Sequence, residues 1–127
     1  MTAKLEHTNL TVSDPDATAA WMGDVFGWKI RWSGPAIDEG YSVHVGGPGD
    51  YLALYRPRSA PHAGESSYGL IGGLNHLGVI VDDLDAAEAR VKAAGFTPHN
   101  YADYKPGRRF YFRDADGIEF ELVQYDD

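Results

Sequence analysis

Leu5-Glu6-His7-Thr8-Asn9-Leu10-Thr11-Val12-Ser13-Asp14-Pro15-Asp16 and Leu74-Asn75-His76-Leu77-Gly78-Val79-Ile80-Val81-Asp82-Asp83-Leu84-Asp85 are one passage written twice in a chain of 127 residues. Each copy runs from Leu-x-His through an apolar stretch to a pair of aspartates. An alanine-rich segment follows and ends at glycine, Gly27 in the first copy and Gly95 in the second. Self-similarity of this kind marks a structural repeat. Both halves are therefore expected to begin with the same strand, the same acidic turn and the same helix.

Working outward, Asp14 or Asp16 can cap the first helix and Asp83 the second, because a short carboxylate satisfies the orphan amide donors at a helix start. Ala17, Ala20, Trp21, Val25 and Phe26 give the first helix an apolar stripe; Leu84, Ala87, Val91 and Ala94 give one to the second. Strands are expected over about 28–33, 40–46 and 50–56 in the first half, and about 97–101, 108–113 and 117–124 in the second. Gly34-Pro35, Gly46-Gly47-Pro48-Gly49, Pro106-Gly107 and Asp114-Ala115-Asp116-Gly117 are the turn signals between them. The chain then divides into module 1 (about 1–57), a Pro/Gly/Ser-rich linker (about 58–72) and module 2 (about 73–127), within one domain of ordinary size.

Composition narrows the function. With 43% hydrophobic and 24% charged residues the chain reads as globular. It has no cysteine, which removes disulfides, thiolate metal sites and a cysteine nucleophile. A formal charge of −8 argues against nucleic acid, whose phosphates need a basic partner surface. No apolar run is long enough for a membrane span or a signal segment, and a cytoplasmic location is expected. Arg56 and Arg58, and Lys105, Arg108 and Arg109, read as solvated loops or as an anion-steering rim.

Strand alternation sorts the side chains by face. Leu10 and Val12 belong under the first helix, leaving His7, Asn9 and Thr11 on the other side. Leu77, Val79 and Val81 belong under the second, leaving His76, Gly78 and Ile80. In the last strand Ile118, Phe120 and Leu122 are the packed set, with Glu119, Glu121 and Val123 opposite. A single strand histidine is ordinarily a hydrogen-bonded structural residue. Two at equivalent repeat positions, with a carboxylate on a matching face, form a common set for a divalent metal that keeps open positions.

The segment from Leu5 to Val12 through Phe26-Gly27-Trp28 resembles the opening module of the vicinal-oxygen-chelate superfamily, which includes glyoxalases, bleomycin-resistance proteins and extradiol dioxygenases. Leu74 to Val79 resembles the start of its second module. Phe110-Tyr111-Phe112-Arg113-Asp114-Ala115-Asp116-Gly117 with Phe120-Glu121-Leu122 resembles its closing signature, with alanine where proline is usual. The resemblance spans essentially the whole chain. It implies an α+β fold of two βαβββ modules forming a curved mixed sheet around a metal-binding cup. His7, His76 and Glu121 fall on three of the family's metal positions. Ala53 takes the fourth, where glyoxalase I enzymes carry glutamate. Tyr51, Tyr55 or His44 are the side chains that could reach into the cup in its place.

The resemblance further implies a glyoxalase-like lyase or isomerase. A divalent ion (Ni, Zn, Fe, Co or Mn) would chelate two oxygens of a small-molecule substrate and stabilise an enediolate-type anion. Glu121 would be a ligand and the catalytic base if it lets go. Alternatives are a metal-free, drug-binding protein of the bleomycin-resistance type and a dioxygenase-like metalloenzyme. A homodimer is the expected assembly, the commonest state of small oligomers.

Overall fold

The computed structural model describes residues 1–64 and 66–126. The chain forms two compact units, residues 1–62 and 63–127, divided inside the segment read as a linker. Each unit is a βαβββ module.

The N-terminal unit holds β1 (His7–Thr11), α1 (Pro15–Phe26), β2 (Lys29–Ala36), β3 (Gly40–Gly46) and β4 (Tyr51–Arg56). Its strands are ordered β1-β4-β3-β2, with β1 parallel to β4 and the other pairs antiparallel. The C-terminal unit repeats the plan with β5 (Leu77–Ile80), α2 (Leu84–Ala93), β6 (His99–Tyr104), β7 (Gly107–Arg113) and β8 (Glu119–Tyr125), ordered β5-β8-β7-β6. The α+β fold of two βαβββ modules is thus realised as two four-stranded mixed sheets.

Both helices start as their sequences require. Asp14 accepts from the Ala17 amide at 3.1 Å and Asp83 from the Ala86 amide at 3.0 Å. At the end of α1, Gly27 sits at φ +75°, a left-handed cap that costs an L side chain about 1 kcal/mol or more, and its amide bonds Gly23 O. The core-facing stripe of α1 differs from expectation. Its buried residues are Pro15, Thr18, Ala19, Met22 and Val25, while Ala17 and Ala20 face solvent. Alanine suits either face of a helix, so the alanines did not report the orientation; Met22 and Val25 set it. In α2 the buried set is Leu84, Ala87 and Val91.

The two cores are built from alternate strand residues under each helix. Leu10, Val12, Val43, Val45 and Leu54 pack in the N-terminal unit, and Phe110, Phe112, Phe120 and Leu122 in the C-terminal one. Phe112 stacks between Phe96 (5.5 Å) and Phe120 (5.3 Å).

Two strands run further than their turn signals suggest. Residues Gly34 and Pro35, read as a turn, continue β2 opposite Ser42 and Tyr41. The strand is at the sheet edge, where proline is tolerated. Likewise β6, the other unit's edge strand, reaches Tyr104 through an irregularity between His99 and Ala102. No helix among the described residues is long and apolar enough to cross a membrane.

Candidate functional site

Register makes the two units comparable position by position. In the parallel pair β1–β4, Asn9 lies opposite Ala53; in β5–β8, Gly78 lies opposite Glu121. His7 and His76 each stand two residues earlier. Ala53 is therefore the repeat equivalent of Glu121. The N-terminal unit has a methyl group where the C-terminal unit has a carboxylate, and Ala53 is buried.

The same preparation is given to both histidines. His7 Nδ1 bonds Glu6 Oε1 at 2.8 Å and His76 Nδ1 bonds Asn75 Oδ1 at 2.7 Å. The bond from His7 holds the Glu6 carboxyl below its ordinary range. An Nδ1–H engaged in this way leaves Nε2 as the lone-pair nitrogen, the usual arrangement behind a metal-binding imidazole.

In the C-terminal unit His76 and Glu121 meet: Nε2 lies 3.1 Å from Oε1. With Nδ1–H committed to Asn75, a neutral His76 turns a lone pair toward a carboxylate oxygen. Two acceptors at that distance need a shared cation, a proton or a metal ion. The donor set, imidazole nitrogen beside carboxylate oxygen, fits a divalent ion. His7 belongs to the N-terminal unit. Neither unit by itself gathers three His, Asp or Glu side chains into a metal-binding group among the described residues.

Glu121 has further partners that sequence reading did not assign. Its Oε2 accepts from Arg109 Nη1 at 2.9 Å, and both side chains are mostly buried, 13% and 14% exposed. Arg109 was read as part of a solvated loop or rim; it lies within β7, one strand from Glu121, under the exposed ring of Tyr104 at 4.7 Å. Tyr111, directly opposite Glu121, has its phenol pushed up by burial and then by the Glu121 charge. Only the β7–β8 register reveals these contacts.

A second ionic cluster shares this face. The carboxylate of Glu119 is buried and raised for that reason, and its Oε2 meets His99 Nε2 at 2.9 Å and Arg113 Nη2 at 3.2 Å. His99, Arg113 and Asp114 line a shallow groove of about 510 Å³.

The N-terminal unit offers rings instead. Tyr51 stacks with His7 (4.9 Å) and with His44 (4.7 Å), with Arg31 4.5 Å from its ring centroid and Trp32 against His44. Burial and the neighbouring His7 and Arg31 charges push His44 down. Tyr55 is occupied elsewhere, donating to Ile37 O at 3.0 Å. Of the side chains proposed to stand in for Ala53, His44 is its direct cross-strand neighbour.

Two βαβββ units, each opening on a backed histidine and one closing on a carboxylate, define a paired-module protein. The chain belongs to the Glyoxalase/Bleomycin resistance protein/Dioxygenase superfamily, whose model matches residues 4–122. It is 29% identical over 133 aligned residues to an ethylmalonyl-CoA/methylmalonyl-CoA epimerase of Cereibacter sphaeroides, covering 98% of this chain and 99% of that protein. A glyoxylase/bleomycin resistance protein/dioxygenase domain from Frankia sp. EAN1pec superposes with a TM-score of 0.84 at 25% identity, covering 100% of this chain and 95% of that one. The fosfomycin resistance protein FosX of Listeria monocytogenes, complexed with Mn(II) and sulfate, shares the fold (TM-score 0.72, 22% identity, 99% and 95% covered).

Proposed function

We propose that the protein is a divalent-metal-dependent isomerase of the glyoxalase type, with His7, His76 and Glu121 as the metal ligands. The observation that carries this reading is the His76–Glu121 pair. Its imidazole is backed by Asn75 so that a lone pair faces a carboxylate oxygen 3.1 Å away. The equivalent backing of His7 by Glu6 supports the same role for the first histidine.

A divalent ion at these ligands would act as a Lewis acid on a chelated carbonyl, lowering the cost of negative charge on its oxygen. The chain's own groups do the rest. Asn75 and Glu6 hold the two imidazoles in one tautomer. Arg109 keeps Glu121 Oε2 from rotating freely, so that Oε1 stays toward His76. Glu121 would be a ligand and, once it lets go of the ion, the carboxylate that takes a proton from a carbon beside the carbonyl. The full-length likeness to an epimerase favours isomerisation, a proton removed and returned, over net lysis.

The aromatic platform of Tyr51, His7, His44 and Trp32 supports a second reading, a metal-free binder of flat or cationic drugs. The protein acts as a homodimer in either case. Exposed apolar residues such as Ile30, Trp32 and Ile80 are consistent with a covered surface.

Proton exchange separates the readings. Methylmalonyl-CoA incubated in D₂O with Mn(II)-loaded protein should exchange its α-proton, seen by NMR, and Glu121→Ala should slow this at least a hundredfold. No exchange with Mn(II), Ni(II), Co(II) or Zn(II), on this thioester or on the methylglyoxal–glutathione hemithioacetal, would contradict the isomerase reading.

A further inference from the structure

In the pairing of β2 with β3, Ile30 lies opposite Val45 and Trp32 opposite His44, so Arg31 is the extra residue of a bulge. A bulge interrupts the alternation of faces and re-aims a side chain. Here it brings two successive residues to one side of the sheet. Arg31 Cζ lies 4.5 Å from the Tyr51 ring centroid, and the Trp32 ring lies 5.0 Å from that of His44. Tyr51 and His44 themselves stack at 4.7 Å, on the face that carries His7. An exposed cation and an exposed aromatic ring therefore stand side by side on the N-terminal unit.

Both groups are held in place with surface to spare. Trp32 is 47% exposed, yet its indole packs on Gly34, where a Cβ would come within 2.8 Å of the ring. Arg31 has the Tyr51 ring as its neighbour and makes no ion pair or hydrogen bond among the described residues. Carboxylates are not scarce in a chain with 19 acidic and 11 basic residues. The Glu6 carboxyl is held down first by its bond to His7 and only last by the charge of Arg31. It is engaged by His7 at 2.8 Å and by the Tyr51 hydroxyl at 3.3 Å. A fixed, exposed ring offers its surface to another flat ring, and such stacking adds to simple burial. The guanidinium beside it attracts a negative oxygen on that ring and repels a positive group. At about 0.1 M salt, charges beyond about 10 Å are screened. The local guanidinium, rather than the net charge of −8, then sets the sign felt at Trp32.

We infer that Arg31 and Trp32 form a subsite for a flat aromatic anion, a ring that carries an acidic oxygen in its own plane. This narrows the flat-ligand reading of the platform to anions. The subsite stands on the N-terminal unit alone and needs no metal.

The probes are 2-naphthoate, its neutral amide and 2-naphthylmethylammonium, which put one ring under three charges. Each is titrated calorimetrically into the full chain after dialysis against EDTA, at about 0.1 M salt. Naphthoate should bind at least fivefold more tightly than the amide, and the ammonium more weakly than either. Arg31→Gln should weaken naphthoate at least fivefold and change the amide less than twofold. Trp32→Leu should weaken acid and amide alike, at least fivefold, and Trp32→Phe, which keeps a flat ring, should recover most of the loss. Circular dichroism verifies the fold of each variant, and sedimentation its assembly. No naphthoate binding by the wild type overturns the inference, as does an ammonium probe that binds as tightly as the acid. A loss of naphthoate smaller than fivefold in Arg31→Gln or Trp32→Leu overturns it too. So does an equal loss of acid and amide in Arg31→Gln, which reduces Arg31 to a support for the platform. Loss of naphthoate only in step with altered sedimentation makes Trp32 an interface residue and has the same result. The expected ratios in a protein that takes up no metal support the subsite and remove the isomerase reading alone.

Discussion

Replacing Asp114 with asparagine should remove a pH dependence of stability that the wild type owes to this one turn. Asp114 ends β7 and opens the turn into β8, the hairpin that carries Arg109 and Glu121. Its Oδ1 accepts from the amides of Asp116 and Ile118, both at 3.0 Å, and Gly117 closes the turn at φ +80°. The side chain is 8% exposed, and burial pushes its carboxyl from 3.8 up to about 6 against the pull of those amides. Between these values the folded chain holds a proton that the unfolded chain has released. Stability from this group therefore falls as pH rises from about 4 to about 6 and is level above that. The whole shift corresponds to about 3 kcal/mol, which screening by water at the turn reduces to about 2 kcal/mol. For a chain of this length that is roughly 7 °C in Tm. Asparagine keeps an oxygen for the two amides and carries no titrating proton. The assay is urea or thermal unfolding of wild type and Asp114→Asn at intervals from pH 4 to 7.5. Wild type minus variant should grow by about 2 kcal/mol toward pH 4. A difference constant to within about 0.5 kcal/mol across that range would refute the reasoning, since other groups titrate alike in both proteins.

Two further substitutions test the fold that presents the site. Asp83→Ala removes the acceptor for the Ala86 amide at the start of α2 and should cost about 1 kcal/mol in urea unfolding, with Asp83→Asn recovering most of it. Phe112→Ala empties a fully buried position between Phe96 and Phe120 and should cost about 3–5 kcal/mol.

The repeat carried most of the fold. Leu-x-His, the acidic cap and the terminal glycine recur at Leu5 and Leu74, and period-two alternation placed His7, His76 and Glu121 away from the helices. Signals weakened where a residue type serves two purposes. Alanine packs or faces water with little preference, so Ala17 and Ala20 suggested the wrong face of α1. Proline ends a central strand but is tolerated at an edge, so Pro35 concealed the last residues of β2. Contacts across strands were hidden for a different reason. Arg109 to Glu121 depends on the register of β7 and β8, and His99 to Glu119 depends on β6 as well, where an irregularity between His99 and Ala102 shifts the register by an amount no turn signal encodes. The equivalence of Ala53 and Glu121, first suggested by the resemblance, is visible directly in the paired registers.

Metal binding by the purified, untagged protein tests the central claim most directly, beside a His7→Ala, His76→Ala, Glu121→Ala triple variant. Elemental analysis, and EPR titration with Mn(II), should find about one divalent ion per chain in the wild type and none in the variant. No ion in either protein after incubation with Mn(II), Ni(II), Co(II), Zn(II) or Fe(II), or equal binding in both, would contradict the account.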